Sequence, residues 1–150
     1  YSVATAQEEV GTRGAIISTY RTKPDIGIAI DVTHGETPDA SKENTHAMNK
    51  GVVVAKGPNM HPGLTEKFLE TAKEYGMECQ IEITSGPTGT DARSMQISRD
   101  GVPTILIKLP LRYMHTTVET LNMDHIKMGA RLIALFIASL KEGWQEWLKY

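Results

Sequence analysis

With 150 residues, the chain is long enough to form one domain with its own hydrophobic core. A formal net charge of −2 excludes the basic surface that nucleic acid or an anionic membrane demands. A single cysteine, Cys79, excludes an internal disulfide, and that fits a reducing, cytoplasmic compartment without a secretory signal.

The chain opens on YSVATA (1–6), whose Tyr, Val and Thr predict a strand. An opening inside a strand, without Met, implies that further sequence lies upstream. GTRGAIISTYRT (11–22) predicts a helix, with Ala15, Ile16 and Tyr20 along one side. DIGIAIDV (25–32) is a nearly unbroken apolar run, expected to be a strand buried on both faces. Residues 33–50 are rich in turn formers and lack apolar periodicity, so they predict a long loop of the kind that often carries function. GVVVAKG (51–57) is a short strand. HPGLTEKFLETAKEYG (61–76) is a helix with Leu64, Phe68, Leu69 and Ala72 on one face and Gly76 as its stop.

MECQIEIT (77–84) alternates and predicts a strand with one wet face. SGPTGTD (85–91) is a glycine-rich turn, DARSMQISRD (91–100) a shorter helix, and VPTILIKLP (102–110) a buried strand. LRYMHTTVET reads as a loop, and 123–142 as a long closing helix with Asn122 or Asp124 near its start. The apolar stretch 132–140 lies between Arg131 and Lys141. It is far shorter than the roughly 20 residues of a membrane span, so it reads as a core helix. The tail EGWQEWLKY carries two tryptophans suited to docking on a neighbour. Alternation of strands and helices predicts an α/β fold: a mixed, largely parallel sheet with helices on both faces.

In such sheets function gathers in the loops beyond the carboxyl ends of strands. Three of the predicted ends carry metal-type donors: the first leads to Glu8 and Glu9, the second ends at Asp31, and the 102–110 strand leads to His115. Glu, Asp and His from separate strand ends make a ligand set suited to Zn²⁺ or a similar divalent ion. Each also has a plainer reading: a solvated turn for the acidic pair, a turn cap for Asp31, a hydrogen-bonded loop residue for His115. His34, His46, His61 and His125 receive no role. GPTGTDA lacks the lysine spacing of a phosphate-binding P-loop, and Cys79 reads as a small buried apolar residue.

QEEVGTRGA, IAIDVTH, GPTGTDA and PLRYMHTTVE occur in the order and spacing of one known group. With these motifs in register over nearly its whole length, the chain resembles the carboxyl-terminal half of aminopeptidases of the forty-second metallopeptidase family. That family includes glutamyl and deblocking enzymes that assemble into tetrahedral dodecamers, and some members have been labelled endoglucanases. The resemblance implies that residues 1–150 form the carboxyl-terminal part of one zinc-aminopeptidase-like catalytic domain. The upstream part and an inserted oligomerisation domain would lie outside it. It implies that Glu8 is the general base, that Glu9 and His115 are ligands to one divalent ion, and that Asp31 is a ligand to a second. The ions implied are zinc or cobalt, the substrate a peptide, and the intact enzyme a homo-oligomer. A histidine and a bridging aspartate complete the family's site from an upstream His-x-Asp motif that this sequence does not contain. Three functions follow for comparison: a dinuclear metallo-aminopeptidase completed by the upstream part, an inactive half-domain or assembly module, and an endoglucanase. The last fits poorly. Two glycosidase carboxylates must face each other across a sugar at roughly 5–10 Å, which adjacent residues do not do.

Overall fold

A computed structural model describes residues 1–38 and 40–148. Its centre is a mixed five-stranded sheet of β1 (Gly27–His34), β2 (Val53–Lys56), β3 (Gln80–Ile83), β4 (Thr104–Arg112) and β5 (Thr120–Leu121). The strands lie in the order β1-β4-β2-β3, with β5 paired to β4. β1 runs parallel to β4 from Gly27 opposite Thr104 to His34 opposite Leu111. β2 is parallel to β3, while β4 meets both β2 and β5 in short antiparallel ladders. The long parallel ladder brings the carboxyl ends of β1 and β4 to one rim.

Helices α1 (Arg13–Thr22), α2 (Pro62–Glu74), α3 (Asp91–Gln96) and α4 (Met123–Ser139) cover both faces. On one face α2 and α4 pack Leu64, Phe68, Leu132 and Phe136 against Val52, Val54, Ile105 and Ile107. Phe68 and Phe136 meet edge to face with centroids 5.3 Å apart. On the other face α3 sets Ala92 into a smaller cluster with Ala29, Ala55, Met60 and Leu106. The pleat produces this division, because successive β4 residues point to opposite faces.

The helix boundaries follow from local chemistry. His61 Nδ1 accepts the Leu64 N–H at 3.3 Å, and Pro62 occupies the first turn of α2. Gly76, at φ +63°, follows its last turn, as expected of a C-terminal glycine. Asn122, rather than Asp124, caps α4, its Oδ1 accepting the Asp124 N–H at 2.9 Å.

Several expectations change. α3 stops at Gln96 and α4 at Ser139, short of the predicted 100 and 142, and β1 runs on to His34, so Asp31 lies inside the strand rather than at its end. YSVATA forms no strand: it is exposed and lies in no ladder, and β propensity alone cannot hold a strand without a neighbouring strand to pair with. β1 is not buried on both faces, for Ile30 is 59% exposed on a strand whose described partner is β4 alone. The predicted loop after VPTILIKLP is partly strand, since β4 runs on to Arg112 and pairs with β5. The tail turns back onto its own chain, Trp147 lying against Phe136 with centroids 6.4 Å apart. The final two residues of that tail lie outside the described residues. No helix among the described residues is long and apolar enough to cross a membrane.

Candidate active site

Glu8 and Glu9 stand on a tight turn that leads into α1, not at the end of a strand. The Glu8 carbonyl accepts the N–H groups of Gly11 and Thr12 at 3.1 and 2.9 Å. Gln7 at φ +62° and Thr12 at φ +51° both hold left-handed backbone, an arrangement that costs non-glycine residues energy and is concentrated at functional sites. His115 reaches the same region from the turn that follows β4. It too is left-handed, at φ +62°, beside Tyr113 at φ +59°. Its N–H donates to Glu119 Oε1 at 2.6 Å, which fixes the turn.

The two turns meet. His115 Nε2 lies 3.1 Å from Glu9 Oε1, joining residues 106 positions apart. Both side chains stay largely exposed, so the pair is open to solvent and to an incoming ion. Glu8 is partly buried. Burial raises its pKa, the negative charges of Asp31, Glu9 and Asp91 add to the rise, and His115 opposes it. Asp31, on β1, is half-buried, and its Oδ1 accepts the Val32 N–H at 2.7 Å. Burial raises its pKa as well; the Val32 N–H and Lys108 pull against that rise.

Glu9 and His115 are therefore in direct contact, and the charge of Asp31, from within β1, reaches Glu8. Among the described residues no three His, Cys, Asp or Glu side chains converge closely enough to hold a metal ion. The donors fit a divalent ion in kind, a carboxylate beside an imidazole and a second carboxylate nearby, but they make only part of a coordination sphere.

Sequence reasoning did not single out Asp91 or the pair Glu82–Lys108. Asp91 opens α3 and accepts a hydrogen bond from Thr5 Oγ1 at 2.6 Å. Lys108, opposite Asp31 in the β1–β4 register, donates to Glu82 Oε1 at 2.6 Å. Thr33 donates to Glu82 Oε2 at 2.7 Å, and His46 Nε2 lies 3.3 Å from the same oxygen. Burial would raise the Glu82 pKa, but Lys108, Thr33 and His46 outweigh it and hold the carboxyl low. A lysine inside the apolar run TILIKLP was the available signal for this network, since a lysine is seldom buried unpaired.

Other groups have structural duties. Arg112 Nε donates to the Glu36 carbonyl and so ties the 34–46 loop to β4. His125 Nε2 accepts the Gly51 N–H at 3.2 Å. Cys79 packs against the larger core with its thiol pushed up to about 11, chiefly by burial, which leaves it inert near neutrality. A cavity of 380 Å³ lies between the 34–45 loop and Tyr113–Met114, next to the His115 turn. A larger one, of 650 Å³, opens between Gly57 and Thr104 at the opposite rim, away from these carboxylates.

This mixed, largely parallel sheet with helices on both faces is a fold shared with solved aminopeptidases. The TET aminopeptidase of the marine sediment archaeon Thaumarchaeota archaeon SCGC AB-539-E09 superimposes with a TM-score of 0.88 at 29% identity, over 97% of this chain and 42% of that one. The TET1 peptidase of Pyrococcus horikoshii, which assembles into a tetrahedron or a large octahedral shell, gives a TM-score of 0.70 at 30% identity, over 87% of this chain and 38% of that one. The lysyl aminopeptidase of Pyrococcus furiosus is 39% identical over 141 residues, 94% of this chain and 41% of that protein. The M42 glutamyl aminopeptidase family matches residues 1–132, and the chain belongs to that family. It spans about two fifths of the length of the curated relatives it matches.

Proposed function

We propose that this chain is the carboxyl-terminal part of the catalytic domain of a dinuclear metal-dependent aminopeptidase that removes amino-terminal residues from peptides in the cytoplasm. The observation that carries the reading is the Glu9–His115 contact at 3.1 Å, made by two separate turns in a member of the M42 family. Glu9 and His115 would hold one divalent ion and Asp31 a second, zinc or cobalt in each case. The remaining ligands would come from a His-x-Asp segment outside these 150 residues. When bound, such ions acidify water and polarise a peptide carbonyl.

Glu8 takes the proton from the attacking water and returns it to the leaving amine. Glu9 pairs with His115, which leaves Glu8 for this role, and the neighbouring charge of Asp31 favours its taking up a proton. The carboxylates on this rim also favour the ammonium group of a free amino terminus. By analogy with the assemblies of its structural neighbours, the whole protein forms a homo-oligomer.

The test uses the protein at its natural length. Two divalent ions per chain and chelator-sensitive hydrolysis of a leucyl anilide are expected. Glu8→Gln keeps the metal and loses about 10²–10⁴-fold in turnover, the usual contribution of a general base. Near-normal turnover in Glu8→Gln overturns the assignment of the base. Absence of both metal uptake and hydrolysis favours the assembly-module reading.

A further inference from the structure

We infer that Asp91 is a positioning residue that acts from α3, through Thr5, to hold the Glu8–Glu9 turn in place; the inference rests on the roles proposed above for Glu8 and Glu9. Thr5 Oγ1 donates to Asp91 Oδ2 at 2.6 Å, across 86 positions of sequence. Three residues further along α3, on the same side of the helix, the Ser94 hydroxyl meets the Thr12 hydroxyl. Thr5 and Thr12 flank the two glutamates, so α3 grips the turn at both ends.

The base of the turn is closed as well. The Gly14 N–H donates to the Ala6 carbonyl at 2.9 Å. A Cβ on Gly14 would lie 2.4 Å from the Ala6 nitrogen, so only glycine allows this approach. α3 is a firm anchor, because Ala92 is wholly buried among Ala29, Ala55 and Leu106.

Two features set this apart from ordinary surface bonding. The turn carries left-handed backbone at Gln7 and Thr12, a conformation that persists only where its surroundings enforce it. Asp91 Oδ1 is buried and, among the described residues, has no hydrogen-bond partner, a cost that a purely structural hydroxyl–carboxylate bond would not explain. The carboxylate is kept where its one bonded oxygen fixes Thr5, three residues before the base.

Thr5 is exposed, so its substitution tests the bond without threatening the core. In the natural-length protein, Thr5→Val should speed amide hydrogen exchange in residues 7–14 of the metal-free form. It should also lower kcat about tenfold or more at saturating metal, with KM and thermal midpoint unchanged, because misplacing the base costs turnover rather than substrate binding. Thr5→Ser keeps the donor and should restore both exchange and kcat. The double variant Thr5→Val with Asp91→Ala should lose no more than Asp91→Ala alone, as expected of two residues sharing one interaction. An unchanged kcat or unchanged exchange in Thr5→Val overturns the inference, and so does an equal loss in Thr5→Ser. If the unsubstituted protein neither takes up metal nor turns over substrate, the reading of the site fails. The exchange measurement still decides whether Asp91 holds the turn.

Discussion

Glu8 and Glu9 share a peptide bond yet meet different neighbours, and the difference comes from the turn between Gln7 and Thr12 rather than from strand alternation. Glu9 reaches His115 at 3.1 Å. Replacing His115 with Ala should therefore weaken metal binding about 10-fold or more, while Glu8→Gln should leave it unchanged. Titration with Zn²⁺ followed by calorimetry separates the two. His125 makes a different prediction. It is 4% exposed and neutral, since burial lowers its pKa below the ordinary 6.5. The unfolded chain takes up a proton on this residue near pH 6.5, where the folded chain does not. Folding stability should accordingly fall as pH drops below about 6.5 toward the lower native pKa. Urea midpoints at pH 7.5 and 5.5 should differ in the wild type, and the gap should narrow in His125→Gln.

At the scale of elements, the buried pair Lys108–Glu82 links β4 to β3 and lies beside Asp31. Its side chains are 11% and 19% exposed. Lys108→Met alone leaves Glu82 without its cation, for an expected loss of about 3 kcal/mol. The double change with Glu82→Leu should recover much of that, because the charge and its partner leave together. Chemical denaturation of the three variants checks the cycle. Gly14 works on the junction between the turn and α1. Gly14→Ala should cost about 1–3 kcal/mol, as overpacking against a backbone does, and should displace Glu8 as well. A stability loss without any loss of turnover would show that the close approach serves folding alone.

Across the molecule, apolar surface remains uncovered. Ile16, Ile17 and Tyr20 on α1 and Ile30 on β1 are each about half exposed or more. Exposed apolar side chains grouped in this way on one helix mark contact with other protein. The 150-residue chain by itself should therefore self-associate, and sedimentation should give a mass above the monomer. Ile16→Lys with Ile30→Lys should reduce it. A monomer at all concentrations would show that these side chains are ordinary surface.

The helices and most strands were readable because period and punctuation act locally. Leu64, Phe68 and Ala72 recur at helical spacing, Gly76 stops α2, and alternation in QIEI marks β3. The strand predicted for YSVATA failed for a non-local reason, since pairing depends on an edge that propensity does not report. The family read from the motifs around Glu8, Glu9, Asp31 and His115 is the one that matches the chain. The sequence by itself thus determined which segments are helices, the α/β class and the family, because each depends on residue type and short-range order. Only the tertiary structure showed that Glu9 touches His115 directly, that Lys108 is held by Glu82, and that Asp91 accepts a bond from Thr5. Those contacts join residues 106, 26 and 86 positions apart, and chain folding, not spacing, brings them within hydrogen-bond reach.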